Sequence, residues 1–449
     1  MTPVHKDLTN PDYMAYRRFL TEADTWDAER IANWELAEIA RVLALAWRTR
    51  GYREAFRRVG VADPRDVGSL DDFRRLPTID KETLRDDMEA YTIPVDGSKY
   101  VATGGSTGIP FGFHYDPKAF SRTLAARAHQ YARRGWREGD RQFVLRGGSA
   151  GSGENVISSP DHMEFSEELC ELRASAAYLS HDDVKRYLAR AHEYRPAWLR
   201  VYPSAGFMFA RLLRETGWTF PSVKGVLSSA ENLYPHQKRL MEEVFGAKVF
   251  SHYGHMEQAA LAGMCETSDA YHVLPFYGRV ELLASAESAT RAVDKPGELG
   301  EIVATSFIMG STLFIRYRTR DFAVYGGRGC PLCGRPYDLW TSIEGRLQEF
   351  AVTKDGRVMS MTTMNMYDDV FDCIRQFQFR QRERGKMEFA YVPKSADGCR
   401  PEEVERMRRR ILEKFGGDME LTFSPVDSVP LTGRGKHRFL IQELDVSGD

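Results

Sequence analysis

The sequence has no long hydrophobic run, no excess of either charge and few cysteines. A membrane-spanning helix needs about 20 consecutive apolar residues, so no transmembrane segment is expected. The 62 basic and 64 acidic residues leave a formal net charge of −2, which gives no support for binding nucleic acid or an anionic membrane. The N-terminus lacks the apolar segment of a secretory signal, so we expect a cytoplasmic protein.

Six cysteines in 449 residues are too few for a disulfide scaffold. Cys330 and Cys333, followed by Gly334, have the CxxC-Gly form of a metal knuckle, in which a turn points two thiolates at one ion. Cys265 and His272 could complete a tetrahedral Cys₃His zinc site. The alternative is a group of buried cysteines without a metal. A redox CxxC is disfavoured because no thioredoxin-like helix follows.

Strand and helix patterns alternate along the chain, whose length calls for two or more domains. A helical pattern runs from about Ala23 to Arg58. Further helices are predicted at 183–193, 206–215 and 235–245. Strands are predicted at 142–145, 198–201, 224–227 and 248–250, followed by β-rich segments at 280–283, 300–304 and 312–315. This alternation predicts an α/β body with mostly parallel strands.

The texture changes after Arg346. Strands at 376–379, 387–391, 420–423 and 438–441, with a helix at 401–415, form an α+β unit large enough to be a small domain. We therefore expect an N-terminal domain over residues 1–347 and a C-terminal domain over residues 348–449.

A glycine-rich segment follows a predicted strand end at residues 100–102. Its members are three hydroxyl residues and three glycines, namely Thr103, Gly104, Gly105, Ser106, Thr107 and Gly108. Glycines allow backbone amides to approach a phosphate chain closely, so the segment is typical of a phosphate-binding loop. It is not a Walker A motif, because no Gly-Lys-Ser/Thr follows. A polar surface turn is the alternative.

Four further segments follow in a characteristic order: Ser251–Glu257, Tyr317–Asp321, Ile343–Arg346 and Pro430–Lys436. Together with the glycine-rich segment they resemble the signature motifs of the adenylate-forming acyl-ligase superfamily. The likeness is greatest to phenylacetate–coenzyme A ligases and the related capsule-biosynthesis branch, and it covers nearly the whole chain, including Leu76–Lys81. It implies a large N-terminal α/β domain with a β-rich subdomain. A small mobile C-terminal α+β domain would turn on a hinge near Leu347 and Gln348.

The resemblance also implies how ATP is held. The glycine-rich segment would grip the β- and γ-phosphates. The adenine would be bordered by Ser229, Ala230 and Glu231 and stacked on by Tyr253, which Gly254 follows. Asp321 would accept the ribose hydroxyls, and Arg346 would be the cation near ribose and phosphate. The ordinary alternatives are a polar turn, core packing and a surface ion pair.

Two residues would take part in the chemistry. Glu257 resembles the Mg²⁺ ligand, and a carboxylate suits that hard ion. Lys436 resembles the lysine that reaches the carboxylate oxygen and the α-phosphate, where negative charge builds during adenylation. A surface carboxylate and a solvated lysine are the alternatives. The Cys₃His set matches a structural zinc site of the same branch.

The sequence departs from the superfamily pattern in three places. Phe111 follows Pro110 where a lysine often ends the loop, Met256 replaces a hydroxyl residue before Glu257, and Arg320 replaces a glycine before Asp321. The loop lysine and the glycine are commonly absent from the phenylacetate branch as well. A transition-metal site at His252, His255 and Glu257 is disfavoured, because residues 252 and 255 would face opposite sides of an extended strand. His255 could line the acyl pocket, and residues 147–153 could border it or form a plain loop.

The resemblance implies a ligase that activates a carboxylic acid with Mg·ATP to an acyl-adenylate. Coenzyme A is the expected acceptor, and an aryl or arylacetic acid is the expected substrate. An amide ligase using an amine, or transfer to a carrier protein or sugar, remains the competing interpretation. A non-catalytic nucleotide-binding homologue is a third. Dimers are common in this branch, so a homodimer is also an expectation.

Overall fold

The computed structural model describes residues 10–103, 111–146, 157, 159–176, 178–284, 291–346, 350–356, 358–360, 369–371, 373–415, 417–430 and 437–444. The helices are α1 Pro11–Ala23, α2 Ala28–Ala46, α3 Arg50–Arg58, α4 Leu70–Arg74, α5 Lys81–Asp86, α6 Pro117–Ala132, α7 His181–Tyr194, α8 Pro203–Thr216, α9 Pro235–Phe245 and α10 Pro401–Phe415. The first strands are β1 Lys99–Thr103, β2 Phe111–Tyr115, β3 Gln142–Arg146, β4 Met163–Ser166, β5 Glu171–Ser175, β6 Trp198–Val201, β7 Gly225–Ser229, β8 Val249–Gly254, β9 Leu261–Met264 and β10 Tyr271–Val273. The later strands are β11 Gly278–Leu283, β12 Leu299–Ser306, β13 Tyr317–Arg328, β14 Asp338–Arg346, β15 Phe350–Val352, β16 Val358–Ser360, β17 Ile374–Glu383, β18 Lys386–Pro393, β19 Glu420–Pro425 and β20 Leu440–Gln442.

Local capping sets several helix boundaries. The predicted helical stretch from Ala23 to Arg58 forms two helices, α2 and α3, separated at residues 47–49. The side chain of Asp27 accepts a hydrogen bond from the backbone N–H of Arg30 and caps the start of α2. Helices α8 and α9 each begin with a proline and end at a left-handed glycine, Gly217 and Gly246. None of the helices in the described part of the chain is long and apolar enough to cross a membrane.

One compact unit comprises residues 1–138 and 252–343. Its strands follow the order β11-β12-β13-β14-β10-β9-β8, and the pairings of β8 with β9, β9 with β10, β10 with β14, β11 with β12 and β12 with β13 are antiparallel. Strands β1 and β2 form a separate antiparallel pair. The β-rich character predicted for this part of the chain is confirmed.

The strand predicted at 312–315 does not form. Its apolar side chains are buried, but its backbone hydrogen bonds go to several segments instead of one neighbouring strand. The N–H of Thr312 donates to His114, and the N–H of Leu313 donates to Tyr91. The run of hydrophobic residues therefore belongs to a buried connection.

The second compact unit comprises residues 139–251 and 344–449. Strands β5, β3, β6 and β7 are parallel neighbours in that order, and β4 adds an antiparallel edge to β5. Side chains of α7, α8 and α9 pack on these strands around Phe143, Tyr187 and Phe209. The predicted parallel α/β body is confirmed here.

The C-terminal part of this unit is a four-stranded sheet in the order β19-β18-β17-β20. Helix α10 packs against it through Met407, Ile411 and Phe415, which join Phe379 and Phe389 in one core. The predicted helix matches α10 from end to end. A functional boundary near residue 347 stays a prediction.

Candidate functional site

Two predicted nucleoside-binding residues meet in the first unit. Tyr253 lies near the end of β8 and Asp321 lies in β13, and the Tyr253 hydroxyl donates a hydrogen bond of 2.7 Å to the Asp321 carboxylate. Burial and the neighbouring Asp321 charge raise the pKa of Tyr253 well above its ordinary value, so its hydroxyl keeps its proton. An aromatic ring and a carboxylate thus lie side by side.

Glu257 is a buried carboxylate surrounded by donors. The hydroxyl of Tyr317 donates to Glu257 Oε1 at 2.8 Å, and the ammonium of Lys81 lies 3.4 Å from the same oxygen. Nδ1 of His255 lies 3.1 Å from Oε2. Burial alone would raise the pKa of Glu257, but the interactions with His255 and Lys81 outweigh it and hold that pKa well below its usual range. Glu257 is therefore ionised, as a ligand for a hard cation must be.

Lys81 is a site residue to which the sequence motifs assigned no role. It is the first residue of α5, after the helix cap Asp80, and its side chain is 21% exposed. Its ammonium lies 5.8 Å from the ring centroid of Phe111, the residue that follows Pro110. A cation from another element therefore lies near Phe111, which follows Pro110 in the sequence where the superfamily often has a lysine. The signal was the segment Leu76–Lys81, which carried the resemblance without a function attached.

Backbone geometry explains the glycine that usually precedes the ribose-binding aspartate. Arg320 has a left-handed φ of 62°, a conformation that favours glycine. Its backbone N–H donates to Glu301 at 3.2 Å, and its guanidinium lies 3.3 Å from Glu82 and 3.7 Å from Asp80. These contacts stabilise a conformation that is strained for arginine. The neighbouring departure, Met256, is 40% exposed and offers no hydroxyl.

The two histidines of the SHYGHME segment have different partners. His252 Nδ1 lies 3.1 Å from the hydroxyl of Tyr131, whereas His255 faces Glu257. Among the described residues, His252, His255 and Glu257 do not gather as a group able to hold a metal.

The segment predicted to border adenine lies in the second unit. Ser229 ends β7 and accepts a hydrogen bond of 2.7 Å from Arg146. Glu231 makes two contacts to backbone N–H groups, to Ser204 at the start of α8 (2.9 Å) and to His437 (3.2 Å). Glu231 thus joins a helix N-terminus to the residue that directly follows Lys436.

Several predicted site residues lie outside the described residues or are described only in part. Those outside are Gly104, Gly105, Ser106, Thr107, Gly108 and Lys436, together with residues 147–153 and the predicted hinge at 347 and 348. Thr103 and Arg346 are placed as the last residues of β1 and β14. Their proposed roles stay predictions.

The predicted metal ligands come together in the first unit. The ligand atoms of Cys265, His272, Cys330 and Cys333 all lie within 4.8 Å of one another. Cys265 follows β9, His272 lies in β10, and the two remaining cysteines follow β13. Burial and the nearby Arg133 lower the pKa of His272 to about 4, so its imidazole is neutral and can ligate a metal. Three thiols and one imidazole are a donor set that suits a tetrahedral metal.

Comparison with known proteins gives a consistent picture. Residues 350–443 match the model of the CapK C-terminal domain. The chain is 21% identical to Protein CapK of Staphylococcus aureus over 83% of this chain and 80% of that protein. It is 24% identical to the phenylacetate–coenzyme A ligase of Pseudomonas putida over 68% of this chain and 67% of that protein.

The fold is also similar to that of a solved ligase. A crystal structure of 2-hydroxyisobutyryl-CoA ligase in the postadenylation state, in complex with 2-HIB-AMP, matches with a TM-score of 0.74 and 20% identity. The match covers 95% of this chain and 92% of that one. The chain is thus similar in sequence to CapK and to the phenylacetate–coenzyme A ligases, and it has the fold of the adenylate-forming acyl ligases.

Proposed function

We propose that the protein activates a carboxylic acid with ATP to an acyl-adenylate, releasing pyrophosphate, and then transfers the acyl group to coenzyme A. The observation that carries this proposal is the group formed by Tyr253, Asp321 and Glu257. These residues were expected in separate motifs to serve adenine, ribose and Mg²⁺, and two of them are hydrogen-bonded. The names of the ligase relatives support the same activity.

Within this proposal, Glu257 is the ligand for Mg²⁺. Its oxygens face Tyr317, Lys81 and His255, and because a carboxylate oxygen can accept more than one contact, they can also contribute to holding an ion. Bound Mg²⁺ would neutralise phosphate charge during adenylation. Lys81 adds a fixed positive charge beside it, and Lys436 would stabilise charge at the α-phosphate.

We also propose that the Cys/His cluster holds a structural zinc ion. Cys265, Cys330 and Cys333 would supply thiolates and His272 a neutral nitrogen, completing four ligands. Such an ion would fix β9, β10 and the turn after β13 to one another.

The acid-dependent exchange of pyrophosphate into ATP tests the proposed first step. A panel of aryl, arylacetic and short hydroxy acids should contain substrates that support exchange, and Lys436→Ala should lower the rate by on the order of 10²–10³. Exchange that Lys436→Ala leaves unchanged would reject the role of that lysine. If none of the acids in the panel supported exchange, the non-catalytic nucleotide-binding homologue would be the better interpretation.

The acceptor is tested separately by product analysis. Formation of a thioester with coenzyme A is expected. Formation of an amide from an added amine, in place of the thioester, would favour the amide-ligase alternative. A homodimer is proposed from the resemblance alone, and a mass measurement in solution tests it.

A further inference from the structure

His255 has one polar atom that the protein does not satisfy. Its side chain is 10% exposed, and Nδ1 faces Glu257 at 3.1 Å. On the other edge of the ring, Nε2 is buried and has no hydrogen-bond partner among the described residues. An unsatisfied buried nitrogen costs free energy, so its presence beside a reaction site calls for an explanation.

The neighbouring aromatic residues cannot supply the missing partner. The His255 ring lies near the rings of Tyr253 and Tyr317, with centroids 5.9 and 6.3 Å away. The hydroxyl of Tyr253 donates its hydrogen bond to Asp321, and the hydroxyl of Tyr317 donates its hydrogen bond to Glu257. Both protons are therefore used elsewhere.

The contact with Glu257 also determines what Nε2 offers. An ionised carboxylate can only accept, so Nδ1 carries the hydrogen. Nε2 is then the ring nitrogen that remains for a polar group of a bound molecule, such as O–H, N–H or S–H.

The position of His255 in the chain indicates which molecule brings that donor. His255 lies between Tyr253, assigned to the nucleoside, and Glu257, assigned to the metal and phosphates. The reacting carboxyl group joins the α-phosphate between those two regions. We propose that His255 Nε2 accepts a hydrogen bond from a hydroxyl, amino or thiol group carried by a reactant next to this carboxyl. The inference rests on the proposed adenylation, and the donor belongs either to the acid or to the acceptor.

Two substitutions separate the two ring nitrogens. In His255→Asn the amide occupies the place of Nδ1, so the contact with Glu257 is kept while the Nε2 acceptor is lost. In His255→Gln the amide reaches the place of Nε2, and its oxygen restores an acceptor there. Thermal unfolding of both variants controls for folding.

The first measurement requires no catalysis. Binding of two non-hydrolysable sulfamoyl analogues of acyl-adenylate, mandeloyl and phenylacetyl, is compared by calorimetry. The two differ by one hydroxyl beside the carbonyl. If the donor is on the acid, wild type should prefer the mandeloyl analogue by on the order of tenfold to hundredfold. Asn should abolish that preference, and Gln should restore part of it.

The second measurement follows single-turnover transfer from pre-formed acyl-adenylate to coenzyme A or to benzylamine. If the donor is on the acceptor, Asn should slow this transfer by tenfold to hundredfold, and by clearly more than it slows adenylation. The inference is overturned if Asn keeps both the analogue preference and the transfer rate of wild type. It is also overturned if Asn lowers binding of both analogues equally, because His255 then only supports Glu257. Wild type that binds neither analogue and shows no acid-dependent pyrophosphate exchange would instead count against the adenylation proposal itself.

Discussion

At the scale of single residues, Lys81 is the cation that stabilises the buried carboxylate of Glu257. Lys81→Ala should lower acid-dependent pyrophosphate exchange by about hundredfold, since one fixed charge is removed from a water-poor site. The exposed Lys118→Ala is the matched control and should retain the wild-type rate. Equal rates for the two variants would show that Lys81 has no part in adenylation.

Glu257 should also make stability depend on pH. Its pKa is depressed in the folded state, so its stabilising contribution is present above the ordinary glutamate value of about 4.3 and is lost as pH falls below it. The free energy of unfolding of wild type should exceed that of Glu257→Gln at pH 7, and the difference should hold down to about pH 4.3 and shrink below it. Urea denaturation at several pH values measures it. A difference that grows on acidification would contradict the assignment.

Sequence reasoning selected Tyr253, Glu257 and Asp321 by the type and order of their motifs. The structure brings Tyr253 and Asp321 into contact, and the roles of all three stay predictions. Sequence reasoning gave Lys81 no role because a charge supplied by a distant segment has no local signature. The pairing of His255 with Glu257 was also missed, because both residues lie in the turn that follows β8, where strand periodicity does not indicate which side chains meet.

At the scale of elements, the Cys/His cluster joins segments that are distant in the sequence, and the proposed zinc ion can be tested directly. Elemental analysis should give one zinc per chain. Cys333→Ser should lose the metal and lower Tm by roughly 5–10 °C, because β9, β10 and the turn after β13 lose their common ligand. Cys170→Ser, outside the cluster, should keep both metal and Tm. Protein purified without chelators that contains no zinc would reject the site.

Glu231 links two elements through backbone hydrogen bonds. Glu231→Ala removes the acceptor for Ser204 and His437, so the segment that follows Lys436 loses an anchor. We expect the adenylation rate to fall by about tenfold, and Glu231→Gln, which keeps one acceptor oxygen, to fall less. Pyrophosphate exchange at saturating ATP distinguishes this from a loss of ATP affinity. If only the KM for ATP changed, Glu231 would be an adenine-contact residue instead.

At the scale of the whole molecule, hydrophobic periodicity predicted the fold class well, because the helices and the strands that they cover each bury one face. The parallel body and the C-terminal α+β part follow from alternating apolar patterns, and α9 and α10 match their predicted ranges from end to end. The segment 312–315 was wrongly predicted as a strand, since burial of an apolar run does not reveal where its backbone hydrogen bonds go. How the chain divides into compact units depends on contacts distant in sequence, which periodicity does not record.

Within the second unit, the C-terminal sheet contacts the α/β body through a few specific groups. Arg211 of α8 donates to the backbone carbonyls of Ile374 and Arg375, Lys394 lies 2.7 Å from Glu215, and the Tyr234 and Phe439 rings pack at 4.9 Å. Arg211 is 7% exposed, so its contacts with the two carbonyls are largely shielded from water. This docked arrangement places His437, and hence the chain next to Lys436, against Glu231.

Weakening that docking should separate the two half-reactions. Arg211→Ala leaves two carbonyls without their donor, so the docked arrangement becomes less populated. If this arrangement is the one that adenylates, pyrophosphate exchange should fall by about tenfold while single-turnover transfer from added acyl-adenylate falls less. Arg214→Ala, on the exposed side of the same helix, should change neither rate. A larger loss in transfer than in exchange would instead assign the docked arrangement to the second half-reaction, because a contact that favours one state necessarily disfavours the other.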